Sequence, residues 1–155
     1  MKVNFITVRK LLQLMSEFEY NFISQEQINS VTLMDFQNSL DHIRLLRRAD
    51  YVKLSFTKPD DNELQSGVYG ETGIKGIVVE SLNPKGQEFL ENSCDEKRWK
   101  RFLKNVPDNA GLETGSHLLG SEVMRNYFYG DTAIQIATLI VASLGLVVGI
   151  IALLR

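Results

Sequence analysis

The residues of this chain best equipped for chemistry are few and scattered. Its two histidines, His42 and His117, have no carboxylate or second histidine at ligand spacing, whereas a zinc-type site takes three or four ligands. No nucleophile motif surrounds either of them. The single cysteine, Cys94, excludes an internal disulfide framework and a Cys-based zinc site. A thiolate placed just ahead of a helix is stabilised there, but a plain, partly buried cysteine is the better reading of Cys94. Gly67, Gly70, Gly73 and Gly76 recur every third position. They match neither G-x-G-x-x-G nor a Walker A loop, which ends in Gly-Lys-Ser/Thr. A glycine-rich loop tip explains them. No catalytic residue, cofactor or metal is therefore expected, and no enzymatic activity.

Side chains suited to touching another molecule are more concentrated. Gln37 and Asn38 have the amides that can pair with adenine in a major groove. Arg44, Arg47, Arg48 and Lys53 follow as a modest basic cluster. Asp35 and Asp41 lie among them and would repel phosphates. Cations near a helix C-terminus also complement its dipole, a plainer reason for the arginines. Lys97, Arg98, Lys100, Arg101 and Lys104 form the densest basic run, spaced around one helix face opposite Trp99, Phe102 and Leu103. That run suits an anionic headgroup surface or simply a solvated face.

The periodicity of apolar residues supplies the elements that position these groups. Phe5, Val8, Leu11, Leu12, Met15 and Phe18 predict a first helix over about residues 4–19. Ser24 and Gln27 form a capping box that opens a second helix to about Ser30. Thr32 and Asp35 read as a further box, followed by a third helix to about Arg48 carrying Leu40, Ile43 and Leu46. Two short helices joined by a tight turn make a helix-turn-helix. Tyr51–Thr57 alternates as a strand, and Ile77–Leu82 reads as the returning one. Asn83 and Pro84 then supply a cap and a first helical position. Asp95 and Glu96 open a last helix that Pro107 stops. The expected fold class is α+β: a winged helix-turn-helix domain over 1–106, a linker with a short amphipathic helix over 107–131, and a C-terminal transmembrane helix over 132–154.

That last expectation comes from an asymmetry hidden in ordinary averages. The chain has 155 residues, 44% hydrophobic and 23% charged, with a formal net charge of -2, which gives no overall footprint for nucleic acid. Yet Thr132–Leu154 contains no charge, and a run of about 23 residues is close to the roughly 20 that cross a bilayer. Tyr127, Phe128 and Tyr129 stand just before it, where an aromatic belt belongs. Gly145 and Gly149 form a G-x-x-x-G pair that Ala142 and Ala152 extend into a strip for membrane-helix association. Together these features predict a tail-anchored protein of a bacterial inner membrane, single-pass, with its N-terminal domain in the cytoplasm. Its partners would then be membrane lipid, a second copy through the C-terminal helix, and an unknown protein.

The run from Ser81 through Glu91, followed by Asp95 and Trp99, resembles a segment in a family of small bacterial and prophage winged-helix proteins without assigned activity. In that family the segment reads approximately Leu-Thr-x-x-Gly-His-Glu-Phe-Leu-Asp, with a tryptophan about ten residues on. Gly86, Glu88, Phe89, Leu90 and Trp99 match, while Gln87 replaces the histidine and Asn83 the threonine. The similarity covers about residues 4–105, and the tail is an addition to it. The resemblance implies a winged-helix fold and, by analogy, a role in host–phage conflict; it carries over no catalytic residue. The function expected is recognition of a partner by the winged-helix domain, with the membrane helix oligomerising. A membrane-tethered or soluble DNA-binding transcriptional regulator is the alternative, and nucleic acid the less favoured partner.

Overall fold

The computed structural model describes residues 2–59 and 73–121. Helix α1 (Phe5–Glu17) starts where Asn4 caps it: its Oδ1 accepts the backbone N–H groups of Ile6 at 3.1 Å and Thr7 at 3.2 Å. These are donors that a first turn otherwise leaves unpaired. Phe5, Val8, Leu11, Leu12 and Met15 fall on one stripe at helical spacing, and all five are buried. A short strand, β1 (Phe22–Ser24), leads directly into α2 (Gln25–Thr32). The capping box at Ser24 is closed in both directions, with Ser24 N–H donating to Gln27 Oε1 at 2.9 Å and Gln27 N–H to Ser24 Oγ at 3.3 Å.

Helix α3 (Phe36–Arg48) is capped by Asp35, whose Oδ1 accepts from Asn38 N–H at 2.8 Å. Thr32 does not cap it, contrary to the sequence expectation. It stays in α2, where its hydroxyl lies 2.9 Å from the Ile28 carbonyl and 2.9 Å from Ser39 Oγ. Strands β2 (Val52–Thr57) and β3 (Gly76–Leu82) pair antiparallel with Leu54 opposite Val79 and Phe56 opposite Ile77. β1 pairs with the other edge of β3, so the sheet order is β1-β3-β2. Gly76 is required there, because a Cβ would strike the Ile23 carbonyl and the Phe22 ring.

Three more helices close the unit: α4 (Pro84–Cys94), α5 (Glu96–Asn105) and α6 (Leu112–Gly120). Asn83 sits at the start of α4 but gives it no side-chain cap; its amide donates to Asp50 instead. Asp95 caps α5 through the N–H groups of Lys97 and Arg98 at 2.9 and 3.0 Å. An aromatic series ties these helices to α1. Phe5 meets Phe102 edge-on at 5.1 Å, Trp99 stacks on Phe102 at 5.4 Å, and Phe89 meets Trp99 at 6.2 Å. Arg9 of α1 lies over the Trp99 ring at 5.0 Å and pairs with Glu96 at 2.6 Å.

The compact unit runs through Gly120, past the boundary read at residue 106. Leu112 and Leu119 of α6 are buried, and Gly115 faces the Phe5 ring so closely that a Cβ would overlap it. Burial pushes the Tyr51 phenol above its ordinary value, opposed by a hydrogen bond from Ser116 of α6.

The transmembrane expectation is corrected. Among the described residues no helix is long and apolar enough to cross a membrane. The longest of them, α1 and α3, have 13 residues, about 20 Å against a hydrocarbon core of about 30 Å. Each buries one stripe and leaves a polar face. Residues 132–154, with Ala142, Gly145, Gly149 and Ala152, lie outside the described residues. The architecture is α+β, with six helices and a three-stranded sheet among the described residues. No helix among the described residues supports the membrane-anchored class or the single-pass inner-membrane localisation.

Candidate recognition surface

The amphipathic pattern of α3 divides its residues. Phe36, Ser39, Leu40, His42, Ile43 and Leu46 are buried, while Gln37, Asn38, Arg44, Arg47 and Arg48 are exposed. All five sequence-predicted contacts on this helix therefore face outward. Lys53 stands on β2, also exposed.

Their charges and amides are largely occupied. Asn38 Nδ2 donates to Asp35 Oδ2 at 2.7 Å, so the amide suited to reading a base is held in the cap. Arg44 Nη1 lies 3.5 Å from Asp41 Oδ1, one turn earlier. The Arg47 guanidinium sits over the Phe56 ring at 5.5 Å, turned toward β2. Lys53 pairs with Glu80 across the strands at 2.9 Å, and that carboxylate holds the ammonium above the ordinary lysine range. On the densest basic run, Arg98 Nη1 donates to Asn92 Oδ1 at 3.1 Å, while Lys100 and Lys104 are exposed on α5.

His42 is structural. The backbone N–H of Asn4 donates to its Nε2 at 3.1 Å, and its Nδ1 lies 3.0 Å from the Asn38 carbonyl. An acceptor at Nε2 and a donor at Nδ1 define one neutral tautomer. Both ring nitrogens are thereby engaged, and His42 is 4% exposed. Among the described residues, no three His, Cys, Asp or Glu side chains are grouped so as to hold a metal.

Beside α3 runs a trough that sequence reasoning missed. One cavity, of about 450 Å³, lies between the start of α1, the helix turn and the end of α5, with Asn38, His42, Met34 and Leu103 among its lining. A second, of about 570 Å³, continues along α3 past Arg44, Leu45 and Arg48 to Leu112. Val3 and Asp41 line both. The outer wall is the segment Lys2–Ile6, pinned by Lys2 Nζ to Asp108 Oδ1 at 2.9 Å. No periodicity marks Val3 or Gly111 as walls, because they lie outside the helical stripes; Val106 ends the α5 stripe of Trp99, Phe102 and Leu103. An exposed Leu33, in the left-handed conformation at φ 58, stands at the turn beside Met34. No family model matches the chain, and no curated protein or solved structure does either.

Proposed function

We propose that this protein is a non-catalytic recognition module of winged-helix type that binds a protein partner through the outer face of α3. The order helix, strand, helix, helix, strand, strand with sheet order β1-β3-β2 supports the winged-helix reading. Fold alone does not decide what such a module binds. The observation that carries the protein-partner reading is the state of the cations. Arg44 and Lys53 are each paired with a carboxylate, and Arg47 covers an aromatic ring. Phosphate neutralisation dominates affinity for nucleic acid by summing many cations, and here Arg44 and Lys53 each have a carboxylate alongside that would face the same phosphates. Asp35 and Asp41 add negative charge along the same helix. A trough flanked by chain on its outer side also suits an inserted segment better than a projecting helix that must enter a groove.

Two measurements on the full chain test this. A photocrosslinking residue at Gln37 is expected to yield a discrete protein adduct in the source cell. Gel shifts with random-sequence duplex are expected to show no sequence-selective complex at low or moderate salt. A selective complex whose log affinity falls against log salt with a slope of about -3 or steeper would overturn the reading in favour of a DNA-binding regulator.

A further inference from the structure

We propose that the trough along α3 is the docking site for a short acidic–aliphatic peptide segment of the partner. Its carboxylates would lie against Arg44 and Arg48, and its apolar side chains in the pocket beside Ile6, Met34 and Leu103. The proposal rests on the reading of α3 as a protein-recognition surface and specifies what that surface takes.

Length comes first. The two cavities share Val3 and Asp41 and together follow α3 from Asn38 to Arg48. Ten residues of helix rise about 15 Å, the span of four or five residues of extended chain at roughly 3.3 Å each. The site is thus long enough for a linear motif.

Charge comes next, and the two ends differ. In the cavity toward the C-terminus of α3, two guanidiniums face one carboxylate: Arg44, Arg48 and Asp41. The Arg44–Asp41 contact is 3.5 Å long between side chains that are each 47% exposed, a pair of little strength. Arg48 forms no ion pair among the described residues. A guanidinium presents a planar fork that matches a carboxylate in bidentate geometry. Leu45, Leu112 and Val3 supply apolar surface beside it, which excludes water and strengthens such a contact.

The other cavity presents mainly apolar surface, with Asn4, Asn38, Asp41 and His42 along its α1 and α3 sides. Phe5, Ile6, Met34, Leu103 and Val106 line it, and its one cation, Lys2, is already paired with Asp108. Ile6 is 48% exposed although it is a large hydrophobic residue. Methionine, unbranched and polarizable, adapts to varied aliphatic shapes. An aliphatic side chain about 10 Å from a carboxylate, three residues away along an extended chain, satisfies both ends. A basic peptide would meet Arg44 and Arg48.

Selection of a random peptide display library on the immobilised full chain tests this, followed by fluorescence polarisation of the enriched peptides. The expected result is enrichment of sequences with Asp or Glu two to four residues from Leu, Ile or Val. Arg48→Glu should weaken their binding at least about tenfold through like-charge repulsion. Ile6→Glu should do so as well; its side chain is exposed in a first helical turn, where an acidic residue is tolerated, so the fold survives. Lys104→Glu, on α5 outside the trough, should leave binding within about twofold, as expected for a surface change away from the contact. Enrichment of basic or uncharged peptides, no enrichment at all, or acidic peptides indifferent to Arg48→Glu would each overturn the proposal. If Gln37 still crosslinks a protein in those cases, only the peptide class is lost. If duplex DNA is bound and Arg48→Glu abolishes it, the protein-recognition reading falls too.

Discussion

Replacing Gly115 by alanine sets two opposed terms against each other, and the sign of the sum reports whether α6 belongs to the folded unit. In an exposed helix, glycine to alanine gains about 0.8–1.0 kcal/mol from helix propensity. Gly115 is buried, however, and an added Cβ would land on the Phe5 ring. That ring has nowhere to swing, being 5% exposed and held edge-on against Phe102 at 5.1 Å. Forcing a methyl group into a packed core costs about 1–3 kcal/mol. The net expectation is a destabilisation of up to about 2 kcal/mol, or a fall in melting temperature of roughly 3–5 °C per kcal/mol for a unit of this size. Urea unfolding of the full chain, followed by circular dichroism, should show a lower midpoint at unchanged slope. Gly111→Ala is the control: Gly111 is exposed with nothing within 4 Å of its added Cβ, and its change should stay within about 0.5 kcal/mol. Gly115→Ala more stable than the parent by about 1 kcal/mol would refute the packing of α6 on Phe5. The boundary at residue 106 would then be the better description.

Two further perturbations have signs fixed by local geometry. Leu33 is 80% exposed and left-handed at φ 58, a conformation costing a non-glycine residue about 1–2 kcal/mol. Leu33→Gly should therefore raise the melting temperature, with a gain of about 0.5–1 kcal/mol after glycine's own entropic cost; a loss would show that the leucine side chain is held by packing. Asp95 is held below its ordinary value of 3.8, chiefly by the backbone N–H of Arg98, with Lys97 N–H and nearby cations assisting. Its folded value lies below the unfolded one, so its contribution is full above about pH 4 and fades as pH falls through the folded value. Asp95→Ala should cost about 1 kcal/mol at neutral pH as a lost N-cap, and the gap to the parent should narrow below pH 4; a pH-independent gap would rule out the carboxylate as the source.

Elements that bury a complete stripe were legible in the chain. Phe5, Val8, Leu11, Leu12 and Met15 announce α1, and Leu40, Ile43 and Leu46 announce α3, because each set is one face of a 3.6-residue repeat. Asp95 and Pro107 bracket α5 by cap and stop chemistry that acts within a few residues. β1 was not legible: three residues cannot establish a period of two, and the strand exists because β3 offers it a free edge. The place of α6 was hidden for a different reason. The spacing of Leu118 and Leu119 announces a helix there, but its closest approach to α1 is made by Gly115, which has no side chain, so patterning does not show that it joins the folded unit. The choice of Asp35 over Thr32 as cap of α3 was likewise invisible, because Thr32 is claimed by Ile28 and Ser39. Among the candidate contacts, the outward stripe of α3 could be read from spacing. The loss of Lys53 to Glu80 and of Arg47 to Phe56 required strand register and helix–sheet packing.

The same helix thus does two jobs with separate residues, and the separation is what makes its surface testable. Alongside the exposed Asp35 cap, three hydrogen bonds that fix the helix turn point inward. Thr32 meets Ser39 at 2.9 Å, Thr7 Oγ1 donates to Met34 Sδ at 3.2 Å, and Asn4 N–H donates to His42 Nε2 at 3.1 Å. Buried polar groups satisfied in this way restrict the packing to one arrangement, since any other leaves them unpaired at a cost of about 1–3 kcal/mol each. They tie α1, α2 and α3 together without using the side chains of Gln37, Asp41, Arg44 or Arg48. Gln37, Asp41, Arg44 and Arg48 lie on that stripe at spacings of four, three and four, so altering them removes no inward bond. Charge reversal at Arg48 is therefore expected to leave the trough walls in place, so that under the proposed reading a change in binding reports the outer charge pattern along about 15 Å of helix rather than a change in the fold.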